Sequence, residues 1–432
     1  MTKKVYTPLH GSMTVSGDKS ISHRAVMLGS IALGTTEIDG FLPGADCLST
    51  IGCFRAMGIE INRDGTHVTV TGHGLHGLRK PDQILDCGNS GTTTRLISGI
   101  LSAQAFDTVL TGDASIRKRP MGRIIRPLTE MGADIRSEHG DGCAPLKIHG
   151  QPLRGIRYDS PVASAQVKSA ILLAGLYADS DTTVTEPYLS RDHTERMLNE
   201  FGASCAVRAC KDGERPEITV SPASELHAAR ISVPGDLSSA AFFIAGALLV
   251  PGSDLLIKNV GINPTRSGIL DILMAMGANL EILPENTNSA EPTASIRIRS
   301  SALHGTEIGG SLIPRSIDEL PVIAAVAAAA EGTTVIRDAG ELKVKESNRI
   351  RVMTEGLRKM GADVTETGEG MIIRGGKPLT GASIDSHKDH RIAMTFSILS
   401  LIADGPVTIS DPDCVNISAP SFYEDLKKVT AV

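Results

Sequence analysis

TEMGADI, residues Thr129–Ile135, sets a glycine between the end of a helical apolar pattern and the start of a strand-like one. Glycine at that point is the left-handed cap that stops a helix and turns the chain into the next element. The same phrase returns as RAMGIEI from Arg55, NEFGASC from Asn199, MAMGANL from Met274 and RKMGADV from Arg358, about every 70 to 85 residues. One cap recurring at a near-constant interval marks an internal repeat.

Working outward, each copy is preceded by a second helix-length run rich in small residues. These runs are SHRAVMLGSIALG, GTTTRLISGILSAQ, SAQVKSAILLAGLYA, SSAAFFIAGALLV and ELPVIAAVAAAAEG. A β-branched segment follows each one: TTEIDGF, DTVLTG, TTVTEP, DLLIKNV and TTVIRD. A sixth copy, DHRIAMTFSILSLIADGPVTISD, lacks the cap phrase. The expected fold is therefore α/β, with six strand–helix–strand–helix–strand repeats, three to a domain. Its Ala- and Gly-rich helices are buried because small side chains let backbones approach. The seam falls at Val233-Pro234-Gly235-Asp236.

The 432 residues allow two or three domains, each able to bury a core. A net charge of −6 argues against a nucleic-acid or membrane-surface binder, which usually presents net positive charge. The absence of Trp and an aromatic content of 3% leave few stacking platforms for bases. The seven cysteines (Cys47, Cys53, Cys87, Cys143, Cys205, Cys210, Cys414) are scattered, without a CxxC pair, as expected for reduced thiols. The opening MTKKVYTPLHG has no apolar signal core, and the longest apolar stretch, near Pro321–Ala330, is too short to span a bilayer. A cytoplasmic location is expected.

The chemistry gathers where buried helices begin. Helix starts present free N–H groups and partial positive charge, which suits anions. Copy one opens Gly17-Asp18-Lys19-Ser20-Ile21-Ser22-His23-Arg24, and copy two Asp86-Cys87-Gly88-Asn89-Ser90-Gly91-Thr92-Thr93-Thr94-Arg95. Copy three opens Ala163-Ser164-Ala165-Gln166-Val167-Lys168, copy five Asp318-Glu319, and copy six Lys388-Asp389-His390-Arg391. Each opening alone reads as capping. Together, with Lys or Arg in several, they point to helix tips converging on a polyanion. Two loops add charge: Arg117, Lys118, Arg119, Arg123 and Arg126 in one, and Lys343, Lys345, Glu346, Arg349 and Arg351 in the other. A solvated charged face is the plain alternative for each. Pro120, next to Arg119, and the carboxylate of Glu346, set among cations, favour a site able to move protons. None of these openings matches a Walker A or dinucleotide pattern, so no nucleotide cofactor is implied. His387 and His390 lack a third ligand at a standard spacing, and no metal is expected.

Taken in order, GDKSISHRA, CGNSGTTTRL, RKRPM, ASAQVKSAILLAGL, DELPVIAAVAA, VKESNRI and DHRIAM resemble the signature segments of the 5-enolpyruvylshikimate-3-phosphate synthase family. The likeness runs from about Gly11 to Leu426, in the wording of its non-enteric bacterial branch. It implies the two-domain enolpyruvyl-transferase fold, six βαβαββ-type units with buried helices. One domain would be discontinuous, 1–16 plus 235–432, the other would be 17–234, and the active site would lie in the cleft that closes between them. It also implies transfer of the enolpyruvyl group of phosphoenolpyruvate to the 5-hydroxyl of shikimate 3-phosphate, with release of phosphate, by a monomer with no cofactor, metal, membrane or nucleic-acid partner.

Carried onto this chain, the family's shikimate 3-phosphate contacts fall on Lys19, Ser20, Arg24, Ser164, Gln166, Asp318, Lys345 and, less directly, Arg191. Those for phosphoenolpyruvate fall on Lys19, the Gly91 backbone, Arg119, Gln166, Arg349 and Arg391. Asp318 would take the hydroxyl proton and Glu346 would protonate the methylene carbon, with Lys19 bridging both substrates. Three positions depart from other branches: Ile417 stands in place of a lysine, Ala419 in place of an aromatic residue, and Ala165 in place of a second serine. UDP-N-acetylglucosamine enolpyruvyl transferase is the nearest rival. No cysteine lies between Cys87 and Cys143, however, where that family carries its reactive one. An RNA 3′-phosphate cyclase-like protein, the more distant rival, fits poorly with the acidic charge and scarce aromatics.

Overall fold

The structure, a computed structural model, describes residues 6–208, 215–285 and 290–431; Cys210 lies outside them. The chain divides into two compact units. One is a continuous run, Gly17–Val233, to which Ala290 and Glu291 also belong. The other is split, holding the chain up to Ser16 and from Pro234 onward.

Among the described residues each unit contains three small sheets. In the continuous unit the strand orders are Arg230–Ser232, Leu33–Asp39, His67–His73, Glu60–Asp64; then Leu85–Asp86, Asp107–Thr111, Leu146–His149, Asp134–Ser137; then Arg157–Asp159, Thr182–Thr185, Glu217–Val220, Cys205–Arg208. In all three the first pair is parallel and the others antiparallel. Two sheets of the split unit repeat the plan, with Asp254–Gly261 and Thr333–Ile336 as their second strands. The sixth keeps only the parallel pair Ser383–Ile384 and Thr408–Ile409. That truncation is the sequence's missing sixth cap phrase.

Two strands trade places. His10–Thr14 precedes the first helix of the continuous unit, yet pairs in parallel with Asp254–Gly261 of the split unit, His10 opposite Asp254. Arg230–Ser232 precedes the first helix of the split unit's long segment, yet pairs with Leu33–Asp39.

The five cap glycines behave as their phrase predicts. Gly58, Gly132, Gly202, Gly277 and Gly361 have φ between 85° and 98°, the left-handed region. The small-residue helices Lys19–Ile31, Gly91–Leu101, Ala165–Gly175, Leu237–Leu249, Leu320–Ala329 and His390–Ser400 are buried over most of their lengths. Their composition answers to contact distance. A Cβ on Gly99 would lie 2.2 Å from the carbonyl oxygen of Ala170, so the helices Gly91–Leu101 and Ala165–Gly175 touch backbone to backbone. Two charged side chains, Arg349 and Lys168, rank among the largest that are fully buried. Buried charge at that depth requires built partners. Among the described residues no helix is long and apolar enough to cross a membrane, and the six described cysteines are free of disulfides.

Candidate functional site

In the continuous unit three helix tips are linked by polar side chains. Asp18 caps the first helix by accepting from the Ile21 N–H at 2.9 Å, and Ser90 caps the second by accepting from the Thr93 N–H at 3.0 Å. The cap residue holds its helix, and Lys19 or Gly91 is the first residue after it. A buried chain ties the helices together. His23 Nδ1 lies 2.7 Å from Thr50 Oγ1, Thr50 lies 2.8 Å from Thr93 Oγ1, and Thr93 donates to Ser90 Oγ at 2.7 Å. Burial drives the His23 imidazole down to about 3, so it serves here as a neutral strut.

Lys19 Nζ stands 2.8 Å from Asp46 Oδ2. Arg119 Nη2 donates to Asn89 Oδ1 at 2.8 Å and Ser115 Oγ at 3.1 Å. A Cβ on Gly91 would meet Arg95 Nη1 at 3.0 Å and Arg119 Nη1 at 3.3 Å, so both guanidinium groups border this helix tip. Gln166 joins the third helix to the second: its Oε1 accepts from Arg95 Nη1, and its Nε2 donates to Thr92 Oγ1 at 3.0 Å.

Arg24 is buried and donates from Nε to Thr194 Oγ1 at 2.6 Å, from Nη1 to the Ser20 carbonyl at 3.0 Å and from Nη2 to Ser169 Oγ at 2.9 Å. Its pKa falls to about 10, chiefly through burial; Glu195 and Asp18 oppose the fall and the charge on Arg191 adds to it. Arg191 therefore acts on this same corner. Ser164 sits at the start of Ala165–Gly175 with its N–H donating to Glu186 Oε1 at 3.2 Å. Behind it, Lys168 Nζ lies 3.1 Å from Glu186 and 2.7 Å from Glu195, all three side chains being buried. Burial disfavours the Lys168 charge, but the two carboxylates outweigh it and raise the ammonium above its ordinary pKa.

The split unit carries a second cluster around Arg349, only 1% exposed. Its Nε donates to Asp389 Oδ2 at 2.8 Å, its Nη2 to Glu346 Oε2 at 2.7 Å and Asp389 Oδ1 at 3.2 Å, and its Nη1 to Asp318 Oδ1 at 3.4 Å. Burial would lower its pKa; Asp389, then Glu346, reverse this and hold the guanidinium charged. Asp389 is in turn held below the usual carboxylate range: burial raises it, and Arg349 more than offsets the rise. Arg391 Nη1 reaches the Asp318 carbonyl at 3.0 Å and lies 3.8 Å from Glu319 Oε1. Lys345 Nζ is 3.4 Å from Asp318 Oδ1. Although adjacent, Lys345 and Glu346 thus reach different partners, Asp318 and Arg349.

The other cations of the two loops have ordinary settings. Arg117 and Lys118 are exposed, Arg126 pairs with Glu130 at 3.1 Å, and Arg351 pairs with Glu355 at 3.0 Å. The sequence reading included Arg95 and Asp389 in the helix openings but gave them no role, and it passed over Asp46. Arg95 was signalled by its place four residues after Gly91, which sets both on one helix face. Asp389 was signalled as a cap before Arg391. Asp46, on another helix, had no local signal.

One group among the described residues has donor types suited to a metal, Asp192, His193 and Glu291. His193 Nδ1 lies 2.6 Å from Glu291 Oε1, and Arg196 Nε 2.9 Å from Asp192 Oδ2. These are the distances of direct hydrogen bonds between the side chains. Exposed His387 lies 3.8 Å from Asp385, while His390 is buried.

Comparison with known proteins converges on one family. The EPSP synthase (3-phosphoshikimate 1-carboxyvinyltransferase) family model matches residues 3–426. A 3-phosphoshikimate 1-carboxyvinyltransferase of Geobacter sulfurreducens is 55% identical over 421 residues, 98% of this chain and 97% of the relative. One from Brevibacillus brevis is 56% identical over 422 residues, 98% of each. A solved EPSP synthase from Acinetobacter baumannii superposes with a TM-score of 0.86 at 48% identity, covering 98% of this chain and 97% of its own. With the repeats, the Lys- and Arg-bearing helix tips and a match along nearly the whole length in agreement, the chain belongs to the EPSP synthase family.

Proposed function

We propose that the protein transfers the enolpyruvyl group of phosphoenolpyruvate to the 5-hydroxyl of shikimate 3-phosphate and releases phosphate. The observation that carries this reading is the Asp318–Arg349–Glu346 arrangement. There, one buried guanidinium bonds two carboxylates at 3.4 and 2.7 Å, each suited to a separate proton transfer. Both residue clusters are assigned to one substrate pair. A single chain carries every group needed, so a monomer suffices.

Shikimate 3-phosphate is assigned to Lys19, Ser20, Arg24, Ser164, Gln166, Asp318 and Lys345, with Arg191 at its edge. Phosphoenolpyruvate is assigned to Lys19, the Gly91 N–H, Arg119, Gln166, Arg349 and Arg391. Guanidinium forks match carboxylate and phosphate oxygens in pairs, which explains the arginine excess. Asp318 accepts the 5-hydroxyl proton as that oxygen attacks C2 of phosphoenolpyruvate. Glu346 delivers a proton to the methylene carbon, which becomes a methyl group. The resulting tetrahedral intermediate then expels phosphate, and a methyl proton returns to the carboxylate side to restore the double bond. Both proton movers must be in place before attack, since C2 becomes cation-like as the methylene carbon is protonated.

The test is phosphate release from phosphoenolpyruvate with and without shikimate 3-phosphate, run also with Asp318→Asn and Lys19→Ala. Turnover is expected only with both substrates, with a loss of several orders of magnitude in each variant. A near-normal rate in either variant overturns its assigned role. Turnover with UDP-N-acetylglucosamine in place of shikimate 3-phosphate overturns the acceptor.

A further inference from the structure

We propose that Asp389 is a positioning residue for phosphoenolpyruvate, a buried carboxylate that orients both Arg349 and Arg391 from behind. The proposal rests on the assignment of those two arginines above. Asp389 is 0% exposed and is placed to act through its neighbours without touching the ligand. Its Oδ2 accepts from Arg349 Nε at 2.8 Å and from Ser347 Oγ at 2.9 Å. Its Oδ1 accepts from Arg349 Nη2 at 3.2 Å and from the Arg391 backbone N–H at 3.0 Å. Four donors therefore match the roughly four lone-pair sites of one carboxylate.

Two consequences follow from this geometry. Asp389 takes the Nε–Nη2 edge of Arg349, so that edge is closed to any ligand. The guanidinium is left with its Nη1–Nη2 end, the end that faces Asp318 and Glu346, for meeting an incoming anion. Asp389 also caps the helix His390–Ser400 at the Arg391 N–H, which fixes the first turn from which the Arg391 side chain extends. Two cations on two helices thus take their attitude from one side chain, and Ser347 ties the preceding loop to it.

Asp389→Asn separates this role from plain capping. Asn caps about as well as Asp and has the same shape, but one of its acceptors becomes an NH2 group facing a donor, and the charge opposite Arg349 is lost. In steady-state phosphate release by the full-length protein, the KM for phosphoenolpyruvate should rise at least tenfold and kcat should fall about tenfold. The dissociation constant for shikimate 3-phosphate, titrated without phosphoenolpyruvate, should stay within threefold. Ser347→Ala, which removes one donor from Asp389 at a half-buried position, should raise the same KM two- to fivefold. An Asp389→Asn enzyme with an unchanged phosphoenolpyruvate KM overturns the proposal, as does an equal weakening of both substrates, the mark of general loosening. If that variant does not fold, Ser347→Ala decides, and an unchanged KM there overturns it. A wild-type protein that releases no phosphate counts against the functional assignment and the proposal together. Active wild type beside a Asp389→Asn variant with normal KM counts against the proposal alone.

Discussion

Gly91→Ala tests the tip of the helix Gly91–Leu101 with a single methyl group. The backbone there is outside the left-handed region, so alanine brings no strain, and within a helix it is favoured over glycine by roughly 0.5–1 kcal/mol. The protein should fold as well as before. The new Cβ, however, would lie 3.0 Å from Arg95 Nη1 and 3.3 Å from Arg119 Nη1, inside an ordinary contact of about 3.5 Å. Relief requires Arg95 to retreat by roughly 0.5 Å and Arg119 by roughly 0.2 Å. Since a displacement of about 1 Å in a positioning group costs on the order of a hundredfold, the half-ångström retreat of Arg95, which is hydrogen-bonded to Gln166 of the proposed phosphoenolpyruvate site, should cost about tenfold, near 1.4 kcal/mol. That loss should appear in the KM for phosphoenolpyruvate, measured by phosphate release at saturating shikimate 3-phosphate, while the KM for the latter moves less than twofold. A phosphoenolpyruvate KM within twofold of wild type would show that the two guanidinium groups do not set the grip on that substrate.

Two further expectations concern buried charge. Lys168→Met leaves Glu186 and Glu195 buried without their cation and should cost about 3–5 kcal/mol in urea denaturation at pH 7; a loss below about 1 kcal/mol would refute the pairing. His23 has a folded-state pKa of about 3 against 6.5 for an ordinary exposed histidine, so below pH 6.5 the unfolded chain binds the extra proton. Its contribution therefore destabilises the fold progressively as pH falls from about 6.5 toward 3, by about 2 kcal/mol at pH 5. His23→Gln should flatten this part of the stability profile, and equal slopes for the two proteins would remove His23 as its source.

The parts of this fold that were legible in the sequence are those fixed by local rules. The MGA-type caps could be read because a left-handed residue ending a helix is nearly always glycine. The small-residue helices could be read because their burial demands close backbones, as at Gly99. Cations at helix tips and in two loops were legible as types, but it was the family resemblance that singled out Lys19, Arg119, Arg349 and Arg391. Their partners were not legible. Asp46 meets Lys19 across 27 positions, and Asp389 meets Arg349 across 40, distances at which no periodicity speaks. The Lys168–Glu186–Glu195 group was hidden for the same reason, because each member looks like an ordinary surface charge until the packing encloses it.

The parallel pairing of His10–Thr14 with Asp254–Gly261 bears on how the molecule is made. The Leu9 N–H donates to Ser253 Oγ at 2.9 Å across a separation of 244 residues. At roughly 5–20 residues per second, a ribosome needs on the order of 10 to 50 s to supply that partner. Throughout this interval the leading strand has no mate, while the run Gly17–Val233 already contains all the strands of its own three sheets. The waiting segment, HGSMT, carries only one bulky apolar side chain, Met13. A sticky nascent edge would recruit neighbouring chains on a polysome; this one has little with which to do so.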